Sequence, residues 1–153
     1  MTTRTEHAPR ILKAARKDAG LTQRALAKAV GIRQPNVAAI ESGTRSVSQR
    51  TLDDILAAVD YRPSLPVALF RDELIALGAR LGVVNIRVFG SVARGTDHHT
   101  SDVDLLVDLT DEQEPFAVGA FRSYAEELLG FDVDVVVDRP GIPDRIHDEA
   151  VPL

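Results

Sequence analysis

A chain of 153 residues has room for one ordinary domain or two very small ones. Its 44% hydrophobic content marks a globular chain, and the absence of cysteine excludes disulfides, thiolate catalysis and zinc–thiolate sites. The formal net charge of −5 is split: residues 1–65 carry 11 Lys/Arg against 6 Asp/Glu, whereas residues 66–153 carry 7 against 17. The basic part can face phosphates, and the acidic part can do so only through a cation. No apolar run approaches the ~18 residues of a membrane span, and the polar start lacks the apolar core of a signal peptide. The expectation is a cytoplasmic protein with no membrane partner and Met1–His7 as a frayed leader.

Residues 8–60 read as helices with short breaks. Ile11, Leu12 and Ala15 recur at helical spacing, and Asp18-Ala19-Gly20 ends the run. Thr22 caps a second helix in which Ala25, Leu26 and Val30 share a face, and Gly31 closes it. A third helix follows over Arg33–Ser42, with Pro35 in its first turn, and Gly43 ends it. Ser48 caps a fourth carrying Leu52, Ile55, Leu56 and Val59. Pro63 and Pro66 bracket a break, which places a boundary between an all-α domain at 1–65 and a second domain at 66–153.

The second part alternates in period. Val67–Leu81 reads as one helix, Val83–Phe89 as a strand, Asp104–Leu109 as a second strand, Phe116–Leu129 as a helix and Phe131–Val137 as a third strand. A short helix follows around Asp144–Ala150. Helices alternating with buried strands predict an α/β (α+β) domain with a small mixed sheet.

Two short helices joined by a tight turn, Thr22–Val30 and Arg33–Ser42, make a helix-turn-helix, whose second helix enters the major groove. Leu21-Thr22-Gln23, Ala27, Val30-Gly31-Ile32, Val37, Ile40-Glu41 and Ser42-Gly43 resemble the Xre-type family of the lambda-repressor and Cro proteins. The resemblance implies operator DNA as a partner, bound as a homodimer. It makes Gln23 the phosphate-contacting glutamine, puts Gln34, Asn36 and Ala39 at the groove-facing positions, and makes Arg45 a clamp on the DNA backbone. Gln and Asn can bond adenine bidentately. Lys13, Arg16 and Lys17 read as a solvated face able to supplement the phosphate contacts.

In the second part a strand ends at Gly90, and Ser91 opens a short helix. Backbone N–H groups at such a turn, the Ser91 hydroxyl and Arg94 one helical turn on can hold phosphate oxygens. Asp102 and Asp104, two apart at a strand start, share a face and suit a divalent cation, with Asp134 on the third strand preferred over Asp132 as a third carboxylate. Gly90-Ser91, Arg94-Gly95 and Ser101-Asp102-Val103-Asp104 resemble the nucleotidyltransferase superfamily of DNA polymerase beta, specifically its minimal branch. The resemblance implies nucleotidyl transfer from ATP or another nucleoside triphosphate at a two-metal Mg²⁺ site. Asp102 and Asp104 then bind metal, and Asp134 serves as third ligand or base. His98-His99, Asp108 and the Asp111–Glu114 cluster read as solvated loop charge.

About 88 residues leave little room for an acceptor-binding domain, so the acceptor is expected on a partner. Minimal nucleotidyltransferases resemble the antitoxin halves of toxin–antitoxin pairs, often beside a HEPN ribonuclease toxin. The family resemblance thus implies adenylylation of a toxin hydroxyl by an operator-binding antitoxin. The competing reading is a transcription regulator whose transferase fold only binds nucleotide or protein. A free-standing small-molecule nucleotidyltransferase fits the short acceptor region least.

Overall fold

The computed structural model of the chain describes residues 4–112 and 115–153. Four helices come first: α1 (Ala8–Asp18), α2 (Gln23–Val30), α3 (Gln34–Glu41) and α4 (Gln49–Ala58). The expected caps form, with the Thr22 hydroxyl accepting the Ala25 N–H at 3.1 Å and Ser48 accepting that of Thr51 at 3.2 Å. Gly31 takes the left-handed conformation at φ +72°, which turns the chain from α2 into α3. Leu26 and Ala27 form the buried face of α2, while Ala25 and Val30 sit at its margin. Ile11, Leu12, Val37, Leu52 and Leu56 complete this end of the core.

The single helix expected over Val67–Leu81 is two, α5 (Ser64–Leu69) and α6 (Arg71–Leu81). Pro66, read as a helix breaker, lies in the first turn of α5, where its missing N–H has no intrahelical acceptor to lose. The break falls at Phe70, at φ −110° and ψ 22°. Bending there buries the Phe70 ring completely while the Arg10 guanidinium covers it at 4.8 Å. Tertiary packing overrides a continuous helical pattern at this point.

A four-stranded sheet follows in the order β3-β2-β1-β4, built from β1 (Val83–Phe89), β2 (Val103–Leu109), β3 (Val133–Val137) and β4 (Val151–Pro152). Between these strands lie α7 (Gly90–Arg94), α8 (Ala117–Leu129) and α9 (Asp144–Glu149). β1 runs antiparallel to β2 and β4, whereas β2 and β3 are parallel, so the sheet is mixed as expected. Val103, Leu105, Leu106 and Val107 are all buried, the near-continuous apolar run of a central strand covered on both faces. α6 and α8 pack on the sheet and on each other. β4 was not expected from the sequence. It is two residues long and contains Pro152, which an edge strand tolerates. Among the described residues, no helix is long and apolar enough to cross a membrane.

The two parts of the chain meet in a continuous core. Tyr61 is fully buried, with its ring stacked on Phe131 at 5.8 Å. Asp97, 8% exposed, accepts the Ser64 N–H at 2.7 Å, and Arg10 bonds Glu73 and the Leu69 carbonyl. The leader expected to fray is anchored from Arg4, whose guanidinium bonds Asp53 at 2.8 Å and lies against Gly130; residues 1–3 of that expectation fall outside the described residues. His99 is not merely solvated. Its Nδ1 meets the Tyr61 carbonyl at 2.7 Å, and its N–H donates to Asp60.

Candidate functional site

The acidic site is built by strand register. Asp102 directly precedes β2, Asp104 lies within it, and the parallel pairing sets Asp104 beside Asp134 on β3. One carboxylate oxygen from each of Asp102, Asp104 and Asp134 lies within 4.8 Å of the others. Asp132 directly precedes β3 and is not one of these three convergent carboxylates; its carbonyl accepts the Val103 N–H. Asp102 and Asp134 are exposed and Asp104 is half-buried, so the triad opens to solvent. Burial, reinforced by the like charges of Asp102 and Asp134, pushes the Asp104 carboxyl above the usual aspartate range, while Arg94 opposes this. Three hard oxygen donors under mutual repulsion fit a divalent cation such as Mg²⁺.

The turn after β1 lies against this triad. Phe89 is paired with Asp104, and the next residue, Gly90, opens α7 at φ +69°. A side chain on Gly90 would run into the Asp104 carboxylate. The glycine therefore meets two demands, a left-handed backbone and close approach of the acidic strand. Gly95, at φ +67°, closes α7 behind the exposed Arg94.

Sequence reasoning missed the partner of this turn. Glu149, at the end of α9, places its Oε2 3.3 Å from the Gly90 nitrogen and 2.9 Å from Arg94 Nη1, accepting from both. Nothing in the sequence marks a tail glutamate 55 positions beyond Arg94 as its partner. Asp108, read as loop charge, belongs to β2 and pairs with Arg87 at 2.8 Å and with Asn85 at 2.6 Å. Arg87 also bonds Asp138, which His147 of α9 meets at 2.9 Å. Of the Asp111–Glu114 cluster, residues 113 and 114 lie outside the described residues.

A second polar constellation runs through the helix-turn-helix. Gln34 Nε2 donates to Gln23 Oε1 at 3.0 Å, and Gln23 Nε2 donates to Glu41 Oε2 at 3.0 Å. Arg16 donates to both Glu41 oxygens, at 2.6 and 3.0 Å, and to the Leu21 carbonyl. Arg16 is thus an internal strut rather than a solvated phosphate contact. Burial pushes the Glu41 carboxyl up, but the bonds from Arg16 and Gln23 and the Arg16 charge outweigh it and hold it below the usual range. From beyond the C-terminus of α3, Arg45 reaches back and donates to Asn36 Oδ1, in the first turn of the helix, at 3.0 Å. Ala39 is half-buried, and its carbonyl takes the Thr44 hydroxyl and the Arg45 N–H.

Comparison with known proteins follows the same division. Residues 12–65 match the helix-turn-helix family model and residues 69–151 the nucleotidyltransferase domain model. A protein adenylyltransferase of Thermococcus cleftensis is 43% identical over 78 residues, spanning 49% of this chain and 79% of the relative. A candidate protein adenylyltransferase of Methanocaldococcus jannaschii is 34% identical over 82 residues, spanning 52% of this chain and 88% of the relative. A solved structure of a candidate minimal nucleotidyltransferase superimposes with a TM-score of 0.51 at 37% identity, covering 57% of this chain and 92% of its own.

Proposed function

The chain belongs to the nucleotidyltransferase domain family through residues 69–151, and from that premise we propose that it transfers AMP from ATP to a hydroxyl of a partner toxin, as an antitoxin that also binds its own operator. The observation that carries the reading is the convergence of Asp102, Asp104 and Asp134 beside the Gly90 turn. Relatives named as protein adenylyltransferases support AMP as the group moved and protein as the acceptor. The division of labour follows the two family matches, with residues 1–65 reading DNA and 66–153 carrying the chemistry in the cytoplasm.

In this reading Gly90, Ser91 and Arg94 hold the triphosphate through an N–H, a hydroxyl and a guanidinium. Asp102 and Asp104 hold Mg²⁺, with Asp134 as a further ligand; bound there, the metal neutralises charge on the attacking and leaving oxygens. Asp134, exposed at the rim, orients the incoming hydroxyl and receives its proton. The hydroxyl oxygen bonds to the α-phosphorus, the bond to the bridging oxygen of the β-phosphate breaks, and pyrophosphate leaves. On the helical side, Gln34 and Asn36 read base edges while Gln23 and Arg45 hold the DNA backbone of a dimer's half-site. Ala39 supplies apolar contact in the groove.

The test incubates the chain with Mg-ATP and the product of the adjacent gene, then weighs that product. A gain of one adenylyl group that disappears with Asp102→Ala is the expected result. A toxin neutralised by tight binding without any gain in mass would favour a non-catalytic regulator instead.

A further inference from the structure

Glu149 stands where the triphosphate-binding groups converge, and its chemistry is that of a substitute. A carboxylate oxygen and a phosphate oxygen are interchangeable acceptors for a backbone N–H and an Arg guanidinium. Both donors here point at one atom, Glu149 Oε2. An oxygen of bound triphosphate held by the same pair has to take that atom's place.

The cost of holding Glu149 there is visible in its surroundings. Its charge adds to those of Asp102 and Asp134 in pushing the Asp104 carboxyl up, so a fourth carboxylate faces an acidic triad. Yet Glu149 does not join the cluster of three convergent carboxylate oxygens, which argues against a role as a further metal ligand. Arg94 is its one ion-pair partner among the described residues, and that partner is exposed. The element that carries it is held lightly. α9 has six residues and none is buried, and β4 behind it pairs with β1 at Arg87↔Pro152 and Val88↔Val151, with one further bond from the Leu153 N–H to the Ile86 carbonyl at 3.0 Å and the Leu153 side chain against the core. α9 is also bonded through His147 to Asp138 at 2.9 Å.

We propose that Glu149 sets nucleotide affinity: its carboxylate fills a phosphate-oxygen position of the free site, and the triphosphate must expel it, loosening residues 144–153. The proposal rests on the reading of Gly90 and Arg94 as triphosphate ligands. Expulsion is favoured by charge, because a triphosphate arriving with its cation replaces a carboxylate that has none. A site left open by Glu149 only a tenth of the time binds about tenfold more weakly than an open one.

The experiment titrates the full chain and Glu149→Gln with Mg-ATP, with inorganic tripolyphosphate and with adenosine, by calorimetry. The expected result is about tenfold tighter binding of ATP and tripolyphosphate by Glu149→Gln, with adenosine unchanged. Hydrogen exchange on the unmodified chain supplies a readout that needs no variant: Mg-ATP should accelerate exchange at Ala150, Val151 and Leu153. Equal or weaker ATP binding by a folded Glu149→Gln would overturn the proposal and make Glu149 a clamp that steadies Arg94. Unchanged or slower exchange in residues 144–153 on binding ATP would overturn it as well. No ATP binding by either protein would overturn the nucleotide reading itself, and this proposal with it.

Discussion

Replacing Gly90 with alanine tests whether one glycine sets the geometry of the acidic site. Two separable costs follow from the structure. The first is backbone strain, since Gly90 sits at φ +69°, where an L-residue loses roughly 1–2 kcal/mol. The second is steric, because the new methyl group meets the Asp104 carboxylate. Moving a packed side chain to make room costs about 1–3 kcal/mol. Gly95→Ala isolates the first cost, since Gly95 has nearly the same φ, +67°, and a side chain there meets nothing within 4 Å. Urea unfolding followed by far-UV circular dichroism should show Gly95→Ala losing about 1–2 kcal/mol and Gly90→Ala about 2–5 kcal/mol. Calorimetry should show cation-dependent ATP binding lost in Gly90→Ala and kept in Gly95→Ala. If Gly90→Ala is no less stable than Gly95→Ala and binds Mg-ATP normally, the coupling between the turn and Asp104 is refuted.

Asp104→Asn should melt above the parent without a divalent cation and lose the rise in Tm that Mg²⁺ gives the parent. Because its folded pKa is raised, Asp104 favours the fold below the ordinary aspartate range, and that contribution is lost as pH rises through the raised value; the gap between variant and parent should therefore shrink on acidification. Glu41→Ala should cost ~2–3 kcal/mol, between the values for exposed and fully buried pairs, because its side chain is 6% exposed and its Arg16 partner 14%. The Glu41 carboxyl is depressed, so its contribution is present above the ordinary glutamate range and lost as pH falls through the folded value, which melting curves on either side of that range will read. Gln34→Ala and Asn36→Ala should each weaken operator binding by ~1–3 kcal/mol in gel-shift titrations. Arg45→Ala should weaken binding to all sequences alike and lower the salt slope by about one.

What could be read from the sequence was whatever local chemistry decides. Thr22, Gly31 and Ser48 announce helix ends because capping and left-handed turns depend on the residue itself. Val83–Phe89 ends where its apolar run meets Gly90. Asp134 was legible as the third carboxylate because it sits deeper in its strand than Asp132, flanked by Val133, Val135 and Val136; the parallel register that sets it beside Asp104 was not. The remainder depends on contacts distant in sequence. Phe70 bends a continuous helical pattern because its ring has a buried place to go. β4 is too short for any periodicity to show. Asp108 looks like loop charge until Arg87 stands beside it, and Glu149 acquires meaning only when α9 folds back onto Gly90.

The seam between the helices and the sheet carries a consequence for how such a gene can be recombined. Tyr61 stacks on Phe131, the Ser64 amide is held by Asp97, and Arg10 reaches across to Glu73. A chimera joined at residue 65 that imports a foreign helical part leaves the Phe131 ring and the Asp97 carboxylate without their mates. Such an exchange succeeds only when the imported part brings its own ring and its own amide to those places. The join is a matched pair of surfaces, so the exposed face of α3 is altered more easily by point substitutions than by wholesale exchange of residues 1–65.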